Sequence, residues 1–96
     1  MKRDLELIRN ILIKIESREL LEPFDLQIDG YEQDLVNYHL QLLDEAGLIE
    51  IILERDESGI IITAQPIRIT WNGYEFLDMA RNNSIWEKSK KKIEKS

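Results

Sequence analysis

The chain has 96 residues, 43% hydrophobic and 33% charged, with a net charge of −6 and no cysteine. That length holds one small core, residues 1–96 forming a single domain; the balance excludes wholesale disorder, and the missing thiols exclude a disulfide frame or a thiolate metal site. No apolar run approaches the roughly 18 to 20 residues of a bilayer span, and Asp4, Glu6 and Arg9 interrupt the apolar core a signal peptide would need, so a cytoplasmic setting is expected.

Residues 3–17 carry Leu5, Ile8, Leu12 and Ile15 at spacings of three and four, with Leu7 and Ile11 widening the stripe. That is the pattern of an amphipathic helix. Asp4 and Glu6 stand at its positive amino end, and Pro23 stops any continuation. Residues 24–28 alternate, with Phe24, Leu26 and Ile28 on one side. This predicts a short strand, closed by the Asp29-Gly30 turn.

A second helix is predicted over residues 32–46. Leu35, His39, Leu42 and Ala46 form one apolar line, and Val36, Leu40 and Leu43 the next. Gly47 suits the left-handed position after the helix, and Leu48 beyond it suits a fold-back onto the last turn. Residues 49–55 and 60–70 read as two strands of a hairpin, joined by Asp56-Glu57-Ser58-Gly59. Pro66 cannot donate to a ladder, so it places a bulge or an edge in the second strand. The strand at 24–28 is expected to pair with this hairpin and complete a three-stranded sheet.

Thr70 is a candidate N-cap for a helix over residues 71–81. Trp71, Tyr74, Leu77 and Met79 or Ala80 would supply its apolar side, with Phe76 flanking. Ser84 and Glu87 then fit a capping box for a last, lysine-rich helix over residues 85–96. Its far end is expected to fray, because only Ile93 is left to bury. The expected fold is α+β in the order α-β-α-β-β-α-α.

The segment Val36-Asn37-Tyr38-His39-Leu40-Gln41-Leu42-Leu43-Asp44-Glu45-Ala46-Gly47-Leu48-Ile49 resembles the recognition helix and first wing strand of bacterial winged-helix regulators. Ile69-Thr70-Trp71-Asn72-Gly73-Tyr74 looks like the start of the helix that follows the wing. The whole chain is similar to small uncharacterised winged-helix proteins of bacterial genomes and prophages, related to the YjcQ-like type. The resemblance implies a winged-helix-like domain. This sequence departs from it between residues 17 and 32, where the middle helix of a helix-turn-helix is shortened or missing.

Charge decides between two functions. Residues 32–46 hold Glu32, Asp34, Asp44 and Glu45 and no Lys or Arg, and the expected wing tip sets Glu54, Asp56 and Glu57 against Arg55 alone. Phosphate neutralisation supplies most non-specific affinity for nucleic acid, and these segments offer none of it. The last twelve residues carry +3, which leaves −9 on the rest. The leading expectation is therefore a non-enzymatic regulatory module that binds another protein or itself. Glu32, Asp34, Tyr38, Gln41 and Trp86 are its candidate contacts. The resemblance implies prophage settings, where a small acidic protein could block a host nucleic-acid-binding factor.

The alternative is a sequence-specific DNA-binding transcriptional regulator using helix 32–46 and the 49–70 wing. In it Asn37, Tyr38 and Gln41 read bases, and Arg68, Lys90 and Lys91 hold phosphates. DNA is possible but disfavoured on charge.

No catalytic, cofactor or metal site is expected. His39, the one histidine, sits on the apolar line as a core or boundary residue. The serines fall in caps, turns or the tail, and the carboxylate pairs read as solvated surface. Trp71, Tyr74, Phe76 and Trp86 either close the core or form an interface.

Overall fold

The computed structural model describes residues 1–82 and 86–88. They form a small α+β domain: two helices, a β-hairpin, then helical structure again. Helix α1 spans Leu5–Glu16, and its whole apolar stripe is buried: Leu5, Leu7, Ile8, Ile11, Leu12 and Ile15. Asp4 caps it, its side chain accepting the Leu7 N–H at 3.0 Å. Each buried Leu or Ile contributes about 1.5–3 kcal/mol before ordering entropy is subtracted, so this helix supplies the largest single share of the core.

Helix α2 spans Gln33–Glu45 and buries Val36, His39, Leu40 and Leu43. Leu35 and Leu42 are half-buried, and Ala46 lies outside in the C-cap. The helix stops as its glycine requires. Gly47 has φ +75°, its N–H reaches the Asp44 carbonyl at 3.0 Å, and the Leu48 N–H reaches the Leu43 carbonyl at 2.9 Å. These two bonds are the Schellman pair, and they satisfy carbonyls the helix end would leave open.

Strands β1 (Ile49–Arg55) and β2 (Ile61–Ile69) pair antiparallel. Pro66 marks a bulge: the register jumps from Glu50 opposite Arg68 to Ile51 opposite Pro66, leaving Ile67 unmatched. The inward face carries Ile49, Ala64, Pro66 and Ile69. Helix α3 spans Trp71–Arg81 and returns to pack against α1 and β2.

The predicted strand at 24–28 does not form, and the sheet has two strands. The alternation still reports burial: Leu26 is in the core, Phe24 and Ile28 are half-buried, and Asp25 and Gln27 are exposed. Side chains hold the segment in place of a ladder. Gln33 Nε2 donates to the Leu26 carbonyl at 3.0 Å, and Gln65 Nε2 donates to Asp25 Oδ1 at 2.7 Å. No helix lies between α1 and α2.

The core-facing side of α3 also differs from the expected one. Gly73, Leu77 and Ala80 are buried, Phe76 and Met79 are half-buried, and Trp71 and Tyr74 face outward. Gly73 sets this orientation. A Cβ there would overlap the Leu48 carbonyl oxygen and press on Ile69 Cγ2 at 2.5 Å, so the helix sits directly on the base of the hairpin. Thr70 fixes the same joint. Its Oγ1 accepts the Gly73 N–H at 3.1 Å and donates to the Gly47 carbonyl at 2.5 Å, tying the start of α3 to the end of α2.

Residues 86–88 form a helical turn that carries Trp86 into the core. Ser84, Ile93, Lys90 and Lys91, on which the capping box and the lysine-rich helix 85–96 depend, lie outside the described residues. Among the described residues no helix is long and apolar enough to cross a membrane.

Candidate interaction surfaces

Helix α2 presents the residues proposed for readout or partner contact. Gln33, Asn37 and Gln41 follow one another at helical spacing, and they spend part of their capacity on each other. Gln33 Nε2 donates to Asn37 Oδ1 at 2.9 Å as well as to Leu26, and Gln41 Nε2 reaches the Asn37 carbonyl at 3.5 Å. Asn37 and Gln33 line an open cleft of about 200 Å³ with Asp25, Leu26 and Gln27 on one wall and Ile62, Thr63 and Ala64 on the other. Tyr38 is half-buried and meets the His39 ring edge-on, centroids 5.6 Å apart. Glu32, Asp34, Asp44 and Glu45 are exposed, and none has an ion-pair partner among the described residues.

The described arginines are largely engaged within the fold. Arg68 holds Glu50 at 2.7 Å across the hairpin. This hydrogen bond pulls the Glu50 carboxyl below its ordinary range and raises the Arg68 guanidinium above its own. Arg81 pairs with Glu16 of α1, and Arg9 lies 3.9 Å from Glu6. Arg18 covers the Phe24 ring at 4.2 Å, and Arg55 donates to the Gly59 carbonyl at 3.0 Å. At the hairpin tip Asp56 Oδ1 accepts from Ser58 Oγ at 2.6 Å and from the Ser58 and Ile60 N–H groups, both at 2.9 Å. The Ser58 hydroxyl and then the Ile60 amide hold this carboxyl below its ordinary range. Asp56 is thus an anion satisfied by its own loop.

Arg68 does not join Asn37. It lines a different cleft, also of about 200 Å³, with Ile15, Arg18, Leu20, Leu21, Ile67 and Tyr74. Of the residues proposed for DNA contact, the structure therefore gathers Asn37, Tyr38 and Gln41 on α2 and places Arg68 elsewhere.

His39 is fully buried, as its apolar line implied. Nε2 accepts the Asp4 N–H at 2.8 Å, which leaves the proton on Nδ1 to donate to the Leu35 carbonyl at 2.8 Å. Both ring nitrogens are committed, so the ring has no lone pair to offer a metal ion. Among the described residues no group of three or more His, Cys, Asp or Glu is placed to hold one.

Trp86 is not a surface residue. It is 1% exposed, its indole N–H donates to Glu6 Oε1 at 2.8 Å, and it stacks edge-on with Phe76 at 5.9 Å. Its place among the candidate contacts is thereby corrected: a large ring that closes the core between α1 and α3 has no face left for a partner. Trp71 is the opposite case at 79% exposed. With Tyr74, Glu75 and Asp78 it lines an open cleft of about 230 Å³ on the outer side of α3. The sequence does contain the signal for this. Gly73, Leu77 and Ala80 repeat at four and three, a stripe of two small residues and a leucine that competes with the aromatic one for the core.

A family model described as "Hypothetical protein (DUF2513)" matches residues 2–96. The chain belongs to this family. A relative from Haemophilus influenzae (strain ATCC 51907 / DSM 11121 / KW20 / Rd), carrying the name "Uncharacterized protein", is 38% identical over 95 residues. That alignment covers 97% of this chain and 79% of the relative. No solved structure matches the chain.

Proposed function

We propose that this chain is a non-enzymatic interaction module that binds a protein partner with a basic surface, on a winged-helix-like frame that lacks the middle helix. The observation that carries the reading is the state of the charges. The four carboxylates of residues 32–46 are exposed without cation partners among the described residues, while Arg9, Arg68 and Arg81 are already paired with glutamates. Such a surface attracts cations over a Debye length of about 8 Å at physiological salt and repels phosphate at contact. Charge complementarity of this kind steers encounter and selects partners. The frame supports the same reading. A hairpin follows α2 as a wing would, but the helix that would brace α2 across a DNA backbone is missing.

The competing function is a DNA-binding regulator that reads bases with Asn37, Tyr38 and Gln41. Fluorescence anisotropy with a labelled mixed-sequence duplex at low salt separates the two. The expected result is no binding at micromolar protein, alongside salt-sensitive binding of a labelled arginine-rich peptide. Duplex binding that weakens with salt at a slope of about −0.9 per neutralised phosphate would overturn the proposal.

A further inference from the structure

Of the exposed large apolar side chains, Leu20, Leu21, Trp71 and Tyr74 lie around two adjoining clefts. Leu20 is 61% exposed and Leu21 76%, and both line the cleft that also contains Ile67 and Tyr74. Tyr74 in turn lines the cleft of Trp71, Glu75 and Asp78. The two clefts therefore meet at Tyr74, aromatic and acidic at one end and, at the other, aliphatic with Arg18 and Arg68 along its wall. Scattered exposed apolar residues are ordinary, whereas a contiguous group with an outward tryptophan is characteristic of a contact surface.

The charges at the aromatic end are specific. Trp71, Tyr74, Glu75 and Asp78 recur at the spacing of one helical face. Glu75 and Asp78 are exposed and have no cation partner among the described residues. Arg81, one turn beyond Asp78, is drawn across to Glu16 on α1, and Arg68, in the adjoining cleft, is held by Glu50. Two aromatic rings beside two carboxylates without a cation partner among the described residues present both kinds of group that a guanidinium recognises: a π-face and an anionic oxygen. Asp78 also lies in the carboxyl-terminal half of α3, away from its positive amino end.

We propose that the outward face of α3 docks a short basic and apolar segment of a partner protein, an arginine lying across Trp71 and Tyr74 toward Glu75 and Asp78, and a neighbouring aliphatic side chain entering the cleft of Leu20, Leu21 and Ile67. This rests on the protein-partner reading above and gives it a location. Nucleic acid is the wrong ligand for a face with two exposed carboxylates. A second copy of this chain carries net charge −6, and its Arg9, Arg68 and Arg81 are already paired with glutamates.

The test is an NMR titration of the ¹⁵N-labelled full chain with a short synthetic peptide of alternating leucine and arginine, against the same peptide with glutamate for arginine. The expected shifts fall on the Trp71 indole N–H and on the amides of Leu21, Tyr74, Glu75 and Asp78, for the arginine peptide alone. Reversing both charges, Glu75→Lys with Asp78→Lys, should weaken binding about tenfold, Trp71→Ala about fivefold, and Trp71→Phe much less. All these positions are exposed, and the Trp86 indole resonance reports that the core is intact. Shifts confined to Glu32, Asp34, Asp44 and Glu45 would overturn the α3 site and leave the protein-partner reading standing. Failure of both peptides to bind would also overturn the site, and salt-sensitive duplex binding in the same samples would overturn the wider reading with it. Concentration-dependent self-association abolished by Trp71→Ala would overturn the choice of partner.

Discussion

Trp86 and Trp71 are the chain's two tryptophans, and the fold treats them in opposite ways. Trp86 closes the core from the carboxyl-terminal side, with its indole N–H satisfied by Glu6 and its ring against Phe76. Trp71, the first residue of α3, stands in solvent beside Tyr74. The difference comes from the residues around them rather than from the rings. Next to Trp71 a glycine and two small or aliphatic positions make a flatter stripe, and α3 lays that stripe against the hairpin base. A tryptophan left outside by a better-fitting stripe is available for contact, whereas one that fills the core is structural.

The sharpest way to break this contrast is to shorten both rings. Trp86→Ala should cost about 3–5 kcal/mol, the range for deleting a buried aromatic ring, read as a lower chemical-denaturation midpoint. Gly73→Ala comes next. The added methyl group meets a backbone carbonyl that cannot rotate away, so about 2–3 kcal/mol of overpacking is expected in the same measurement. Thr70→Ala should cost about 1–2 kcal/mol by removing the α3 cap and the link to Gly47, and Thr70→Ser should recover most of it in thermal melts. Trp71→Ala should change stability by no more than about 0.5 kcal/mol. Acrylamide quenching sharpens the comparison further. Emission from a Trp71→Phe chain, which reports Trp86, should be shielded, and emission from a Trp86→Phe chain should be quenched freely. Equal quenching of the two would remove the distinction.

Much of this architecture was legible before any coordinates. The stripe of residues 3–17 gave α1, Gly47 and Leu48 gave the end of α2, Pro66 gave the bulge, and Thr70 gave the α3 cap. Each follows from a local rule of backbone or periodicity, and each holds to within a residue or two. Two expectations failed where the answer depends on distant partners. Alternation at Phe24, Leu26 and Ile28 reports which side is buried, and it says nothing of whether a neighbouring backbone lies at ladder distance. At 24–28 the contacts to Gln33 and Gln65 are made by side chains instead. On α3 hydrophobicity favoured Trp71 and Tyr74 for the core, but the competing stripe of Gly73, Leu77 and Ala80 won, because Gly73 seats the helix against the Leu48 carbonyl and Ile69. The candidate surface was half legible. The carboxylates of residues 32–46 could be counted from the sequence. The internal pairing of the arginines, and the meeting of Leu20 and Leu21 with Tyr74, required the fold.

Asp4 has a practical consequence. Its side chain caps α1, its carbonyl accepts the Ile8 N–H at 3.1 Å, and its own N–H occupies the buried imidazole of His39. Proteolytic trimming that removed it would unseat the first helix and strand a histidine nitrogen inside the protein at the same stroke. Affinity tags and fluorophores are therefore better attached well upstream of this aspartate, and limited digestion of the leading residues should release the domain's structure rather than merely shorten it.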